Sequence, residues 1–153
     1  MNEYHMSLAI EEAKKAIKHN EVPVGAIIVY KNKVIAKAYN KIEKKNNALQ
    51  HAELIVINKA SKKLKNWRLD TCTLYVTMEP CMMCCGAIIQ SRIKKVVYGI
   101  ENGKFGCSKL LKNITVEKNV LSKECLSLIQ SFFKNKININ VSRETLTKNK
   151  FIL

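Results

Sequence analysis

Residues 71–91 read TCTLYVTMEPCMMCCGAIIQS. Thr71 to Thr77 is rich in β-branched and aromatic residues, which suits a buried strand. Pro80 lacks an N–H and fixes its φ near the helical value, so it sits well just before or at a helix start. Cys81 to Ser91 therefore reads as a helix fed directly by that strand. Beyond it, Lys95 to Tyr98 is a short strand with Gly99 ending it, and Glu101 to Gly106 is a loop.

The flanks extend the pattern. Met6, Ala9, Ile10, Ala13 and Ile17 recur at helical spacing and define a first amphipathic helix. Val24 to Tyr30 and Lys33 to Tyr39 are apolar runs with Lys31-Asn32 as the tip of a hairpin. Ala52 to Leu64 is a second helix. Ser122 caps a long amphipathic one whose stripe is Cys125, Leu126, Ile129, Phe132 and Phe133. The segment from Lys134 onward has a weak pattern that either extends this helix or frays. Helices interspersed with short strands make an α/β layered domain.

A chain of 153 residues is about one domain, here 1–153. Its 47% apolar and 25% charged content is ordinary for a globular protein and excludes disorder or a disulfide-stapled mini-protein as the whole-chain reading. No stretch approaches the ~18 apolar residues of a spanning helix, so no membrane partner is expected. Met1 to Asn20 is amphipathic and carries Glu3, Glu11 and Glu12, which fits neither a signal peptide nor a transit peptide. The expected location is therefore the cytoplasm, where the six cysteines are thiols or metal ligands. The formal charge of +15 comes mostly from lysine and creates a field that attracts polyanions.

Chemistry concentrates in two segments, His51-Ala52-Glu53 and Glu79-Pro80-Cys81-Met82-Met83-Cys84. Thiols at i and i+3 on an opening helical turn face one way, so Cys81 and Cys84 can grip one ion, with His51 as a neutral third ligand. Three ligands leave a tetrahedral zinc one position for water, whose proton it loosens. Two thiolates already neutralise the ion, so a nearby base still has work, and Glu53 is placed for it. Residues i and i+2 point apart inside a helix, so His51 and Glu53 converge only if His51 stands at the helix start. Two other arrangements use the same residues. One is a structural zinc with a fourth ligand such as Cys72 or Cys85; the other is a set of buried cysteines without metal.

His51-x-Glu53 followed by Pro80-Cys81-x-x-Cys84 is the zinc-deaminase signature. The chain also resembles the bacterial tRNA-specific adenosine deaminases. The matching stretches are Glu21 to Ala26, Ala38-Tyr39-Asn40, His51 to Glu53, Thr73 to Cys84, Gly86-Ala87-Ile88, Ser91-Arg92-Ile93, Val96 to Gly99, Glu124-Cys125 and Phe132-Phe133. They cover about residues 1–135 and leave out the tail, 136–153. The resemblance implies a cytidine-deaminase-like three-layer α/β sandwich, with a central mixed β-sheet flanked by helices and zinc between two helix N-termini. It implies a homodimer and, as partner, a tRNA anticodon stem-loop. The implied enzyme is a hydrolase acting on C–N bonds of cyclic amidines, which edits the wobble adenosine of tRNA to inosine. The resemblance implies one Zn2+ per chain, held by His51, Cys81 and Cys84. In the implied reaction zinc-bound water attacks adenine C6, Glu53 shuttles protons, and ammonia leaves. The implied substrate-binding residues are Asn40, Val24, Ala52, Glu79, Asn102 and Phe132. Asn102 stands where the family usually has aspartate in an RNA-contacting loop.

Overall fold

The computed structural model describes the backbone of residues 1–149 and the side chains of residues 1–140. The chain runs α1 (Asn2–Ile17), β1 (Gly25–Tyr30), β2 (Lys33–Tyr39), α2 (Ile42–Lys45), α3 (Ala52–Leu64), β3 (Cys72–Met78), α4 (Met82–Gln90), β4 (Lys95–Ile100), a 3-10 turn (Ser108–Leu110), β5 (Thr115–Glu117) and α5 (Ser122–Asn149). The strands form one mixed sheet in the order β2-β1-β3-β4-β5. β1 pairs antiparallel with β2 and β3, whereas β3, β4 and β5 are parallel.

The pleat sorts side chains into two cores. Ile27, Val29, Tyr75 and Val97 face one side, where Met6, Ala9 and Ile10 of α1 and Cys125 of α5 cover them. Ala26, Ile28, Leu74, Val76, Val96 and Tyr98 face the other, under Ala52, Val56 and Ala60 of α3 and Cys85 and Ile88 of α4. This period-two sorting buries both faces of the central strands, which is why they read as unbroken apolar runs and the domain has three layers. Lys31 and Asn32 both adopt positive φ, 47° and 60°, as a two-residue hairpin turn demands.

Several boundaries differ from the sequence reading. α1 begins at Asn2 and buries Ala16 in place of Ile17, which is exposed. β4 does not stop at Gly99 but runs through it to Ile100. A Cβ at Gly99 would fall well inside contact with Cys125 Sγ and 2.7 Å from the Thr77 carbonyl oxygen, so glycine is there for close approach to α5 and not to end the strand. The short elements α2 and β5 carried no recognisable pattern. The weak pattern after Lys134 continues the helix as far as Asn149; residues 150–153 lie outside the described residues.

Candidate active site

Two helix starts meet at the ends of the sheet. His51 is the N-cap of α3 with extended backbone (φ −68°, ψ 146°), and Cys81 is the N-cap of α4 (φ −75°, ψ 174°). The extended angles at His51 turn its ring toward the side that Glu53 also faces, the condition for their convergence. Cys84 follows one turn along α4. His51 Nδ1 lies 3.7 Å from Cys81 Sγ and 3.5 Å from Cys84 Sγ. The three donor atoms all lie within 4.8 Å of one another.

Burial holds His51 below its ordinary pKa, which keeps the ring neutral and a nitrogen lone pair available. The Cys84 thiol is pushed far up, first by burial and then by the negative charges of Glu53 and Cys81. Packing a second thiolate beside these groups is costly for the protein alone. A divalent cation among the three donors inverts that balance. The donor set therefore fits a zinc ion: one imidazole and two thiols within reach of one ion, with the N-terminus of α4 behind both sulfurs. Among the described residues no fourth His, Cys, Asp or Glu joins the group. Cys72 is buried on β3, and Cys85 turns its thiol to the Pro80 carbonyl oxygen at 3.7 Å. Neither joins the group, so a tetrahedral metal held by His51, Cys81 and Cys84 would keep one position for a ligand from outside the chain.

Glu53 lies beside Cys84, only 4% exposed, and its Oε2 has no hydrogen-bond partner. Burial raises its carboxyl to about 7, with its own backbone N–H and Cys84 opposing. A buried polar oxygen without a partner is rare and points to a group received from outside the chain. It faces a cavity of about 520 Å³ whose wall includes Val24, Asn40, Ala52, Glu79, Asn102 and Phe133.

Asn40 ends β2 and is buried, with its amide only loosely engaged: 3.4 Å to the Val22 carbonyl and 3.4 Å from the Ile42 N–H. Its backbone N–H bonds the Val24 carbonyl, and Lys41 N–H bonds the Gln50 carbonyl at 2.9 Å. The segment between them is thus a closed loop with Asn40 at one end and His51 at the other. Glu21 anchors that loop. Fully buried, its carboxylate accepts the N–H groups of Glu43 (3.1 Å) and Lys44 (2.6 Å) at the start of α2. Sequence reasoning missed this role, although Glu21 heads the Val-Pro-Val-Gly segment.

Glu79 acts on the opposite wall. Its carboxylate accepts N–H groups from Asn102 (3.0 Å) and Ser108 (3.0 Å) and the Ser108 hydroxyl (2.5 Å). Burial works against its charge, yet these bonds hold it below the usual glutamate value. Gly106 is required here, since a Cβ would collide with that carboxylate. Asn102 accepts the Phe105 N–H through Oδ1 at 3.1 Å, so its side chain shapes the loop. Phe132 lies outside the cavity, 6% exposed and edge-on to Phe133 at 5.3 Å; of this pair it is Phe133, 46% exposed, that lines the cavity wall. One helical step of about 100° separates them, and that step places the second ring at the site.

The profile of the MafB19-like deaminase family matches residues 1–143. The chain belongs to this deaminase family. It is 43% identical, over 87% of its length and 89% of the relative's, to a tRNA-specific adenosine deaminase of Bacillus subtilis. A solved structure from a study of A-to-I editing by tRNA:A34 deaminases superposes with a TM-score of 0.79 at 33% identity, covering 82% of this chain and 98% of that one. A guanine deaminase of Bacillus subtilis is similar at 35% identity and a TM-score of 0.63, over 72% of this chain and 74% of its own. Two helix starts thus meet at one sheet end, His51 and Glu53 on one and Cys81 and Cys84 on the other, and the cavity opens beside them.

Proposed function

We propose that this chain, acting as a single deaminase domain, hydrolyses the wobble adenosine of tRNA to inosine with one zinc ion per chain. The observation that carries this reading is the unpartnered carboxylate oxygen of Glu53 beside the His51, Cys81 and Cys84 group, at the base of a cavity rimmed by Asn40. The tRNA deaminase names of its relatives supply the substrate.

When bound, zinc would supply Lewis acidity to water at the open position. The remaining work belongs to the chain. Glu53, with a carboxyl near 7, takes a proton from the attacking water and gives it to the purine ring nitrogen. The new C–O bond forms at C6. Glu53 then moves the proton of the new C6 hydroxyl to the exocyclic nitrogen, the C6–N bond breaks as the C6 carbonyl forms, and ammonia leaves. The loosely held Asn40 amide offers donor and acceptor together to the purine edge, while Val24 and Ala52 wall the ring. Glu79 and Asn102 serve binding indirectly, by fixing the loop beyond the mouth. An adenosine in a single-stranded anticodon loop enters such a cavity at little unstacking cost, and the +15 charge favours its phosphates.

The same reading places the enzyme in the cytoplasm as a homodimer. Met82 of α4 is 67% exposed, with Ile89 and Leu110 also open to solvent, an apolar surface that a second copy would cover. A monomer mass in solution at micromolar concentration would refute the dimer. Among the described residues no helix is long and apolar enough to cross a membrane.

The guanine deaminase likeness favours a second reading, a free purine base as substrate. Incubating the purified protein with tRNA, free adenosine and free guanine, then measuring inosine at the wobble position beside the free products, separates the two. Inosine in tRNA is expected. Turnover of guanine with no inosine in any tRNA would overturn the proposal.

A further inference from the structure

The loop from Asn102 to Ser108 is bonded at Asn102 and at each residue from Phe105 onward. Glu79 holds Asn102 and Ser108, Asn102 Oδ1 holds the Phe105 N–H, Gly106 N–H reaches the Asn102 carbonyl at 2.8 Å, and Cys107 N–H reaches the Pro80 carbonyl at 3.0 Å. Gly106 also bridges to Cys81. A loop fixed in this way presents its tip rigidly, and the tip is Phe105, 61% exposed. Among the described residues no apolar packing covers so open an aromatic ring on so ordered a segment.

Its position supplies a reason. Phe105 stands on the wall between the Glu53 cavity and a second cavity of about 520 Å³ that runs past Met82, Met83 and Cys107. Lys104 places its ammonium 5.2 Å from the centre of the ring. The pair joins an exposed π-face to a positive charge at the mouth of the base pocket, the combination that binds single-stranded nucleic acid.

Building on the proposed RNA substrate, we infer that Phe105 is a stacking platform for the nucleobase directly adjoining the target adenosine, with Lys104 on the connecting phosphate. The neighbouring nucleotide is covalently tied to the target, so its base must pass this rim when the adenine is inside. A rigid aromatic there receives it with little ordering cost. The second cavity gives that base room on the side away from Glu53.

The test measures binding apart from turnover. In a Glu53→Gln background, the affinity for an anticodon stem-loop RNA with a wobble adenosine is measured by fluorescence anisotropy. Phe105→Ala should weaken binding about 5- to 150-fold, the range of one lost base stack. Phe105→Trp should retain affinity, and Phe105→Leu should not. Two further RNAs carry an abasic ribose immediately 5′ or immediately 3′ of the target. With one of them the Phe105→Ala loss should vanish, since the base it stacks on is already gone. Equal losses on all three RNAs, or full binding by Phe105→Leu, would overturn the inference. So would a fall in solution mass in Phe105→Ala, which would assign the ring to contact with a second copy. Coupling to one abasic site combined with no inosine from the unaltered protein would instead sink the activity and leave the platform standing.

Discussion

Replacing Glu53 with glutamine isolates proton transfer from everything else at the site. The amide has the carboxylate's shape and leaves His51, Cys81 and Cys84 untouched. Acid–base catalysis by one residue contributes about 10²–10⁴-fold, and a group used for more than one transfer per turnover belongs at the upper end. The same substitution has a calculable effect on stability. A carboxyl moved from 4.5 to about 7 by burial costs about 3 kcal/mol to ionise within the fold at pH 8. Its contribution to stability is greatest below pH 4.5 and is lost as pH climbs through about 7. Glutamine removes that loss. It keeps an unpartnered polar atom in the same place, so the net gain in metal-stripped protein at pH 8 is about 1–2 kcal/mol. Bound zinc favours the carboxylate and shrinks the gain, so melts are run with and without chelator.

The expected result is a variant that retains zinc and tRNA, melts higher once stripped, and makes inosine at least a hundredfold more slowly in single-turnover assays. A stabilised but inactive protein is the signature of a strained functional group. Inosine formation within tenfold of the unaltered rate would refute the assignment of Glu53 as shuttle, whatever the melting temperature did.

Cys81→Ser should strip or greatly weaken the metal, measured as zinc per chain by mass spectrometry of the purified protein; full occupancy would remove Cys81 from the site. Gly99→Ala should destabilise the fold by about 1–3 kcal/mol, because the added methyl meets Cys125 and the Thr77 carbonyl, and an unchanged denaturant midpoint would contradict the packing described. His5 is buried against the Tyr4 and Tyr75 rings, and burial, helped by the N-terminal charge, holds its pKa below 6.5. Its stabilising contribution is complete above 6.5 and falls as pH drops below that value, so His5→Phe should flatten the loss of melting temperature between pH 7 and pH 5. Affinity for tRNA should fall about tenfold or more between 50 and 200 mM salt as counterions compete for phosphate; a flat dependence would favour a small-molecule substrate.

The grouping of His51, Cys81 and Cys84 was legible because helix starts fix the local geometry of each motif. Cys81 and Cys84 lie three residues apart, and the convergence of His51 with Glu53 required only that a helix begin at residue 52, as it does. The strands were legible from their apolar runs, since the central ones are covered on both faces. Phe132 was a different matter. An aromatic pair on a helix identifies a stripe, but which ring meets the cavity depends on the rotation of α5 against the sheet, set by Cys125 packing against β4 at Gly99. Local pattern carries no information about that angle.

The two walls that define the substrate were the least legible, for a common reason. Glu21 bonds residues 22 and 23 positions away, and Glu79 bonds residues 23 and 29 positions away. Each is a carboxylate taken largely or wholly out of water to hold a loop by its N–H groups, which no periodicity announces. Without such bonds, the loops carrying Asn40 and Phe105 would pay their ordering entropy each time a substrate bound. Each carboxylate thus fixes a loop that walls the cavity. Within each motif, His51 with Glu53 and Cys81 with Cys84, the spacing is local and announces a chemistry; the two motifs meet across 30 residues, and only the fold brings them and the loop-holding carboxylates together. Under the proposed stacking role, a free purine and a tRNA loop would part at Phe105 on the rim and not at the His51, Cys81 and Cys84 group.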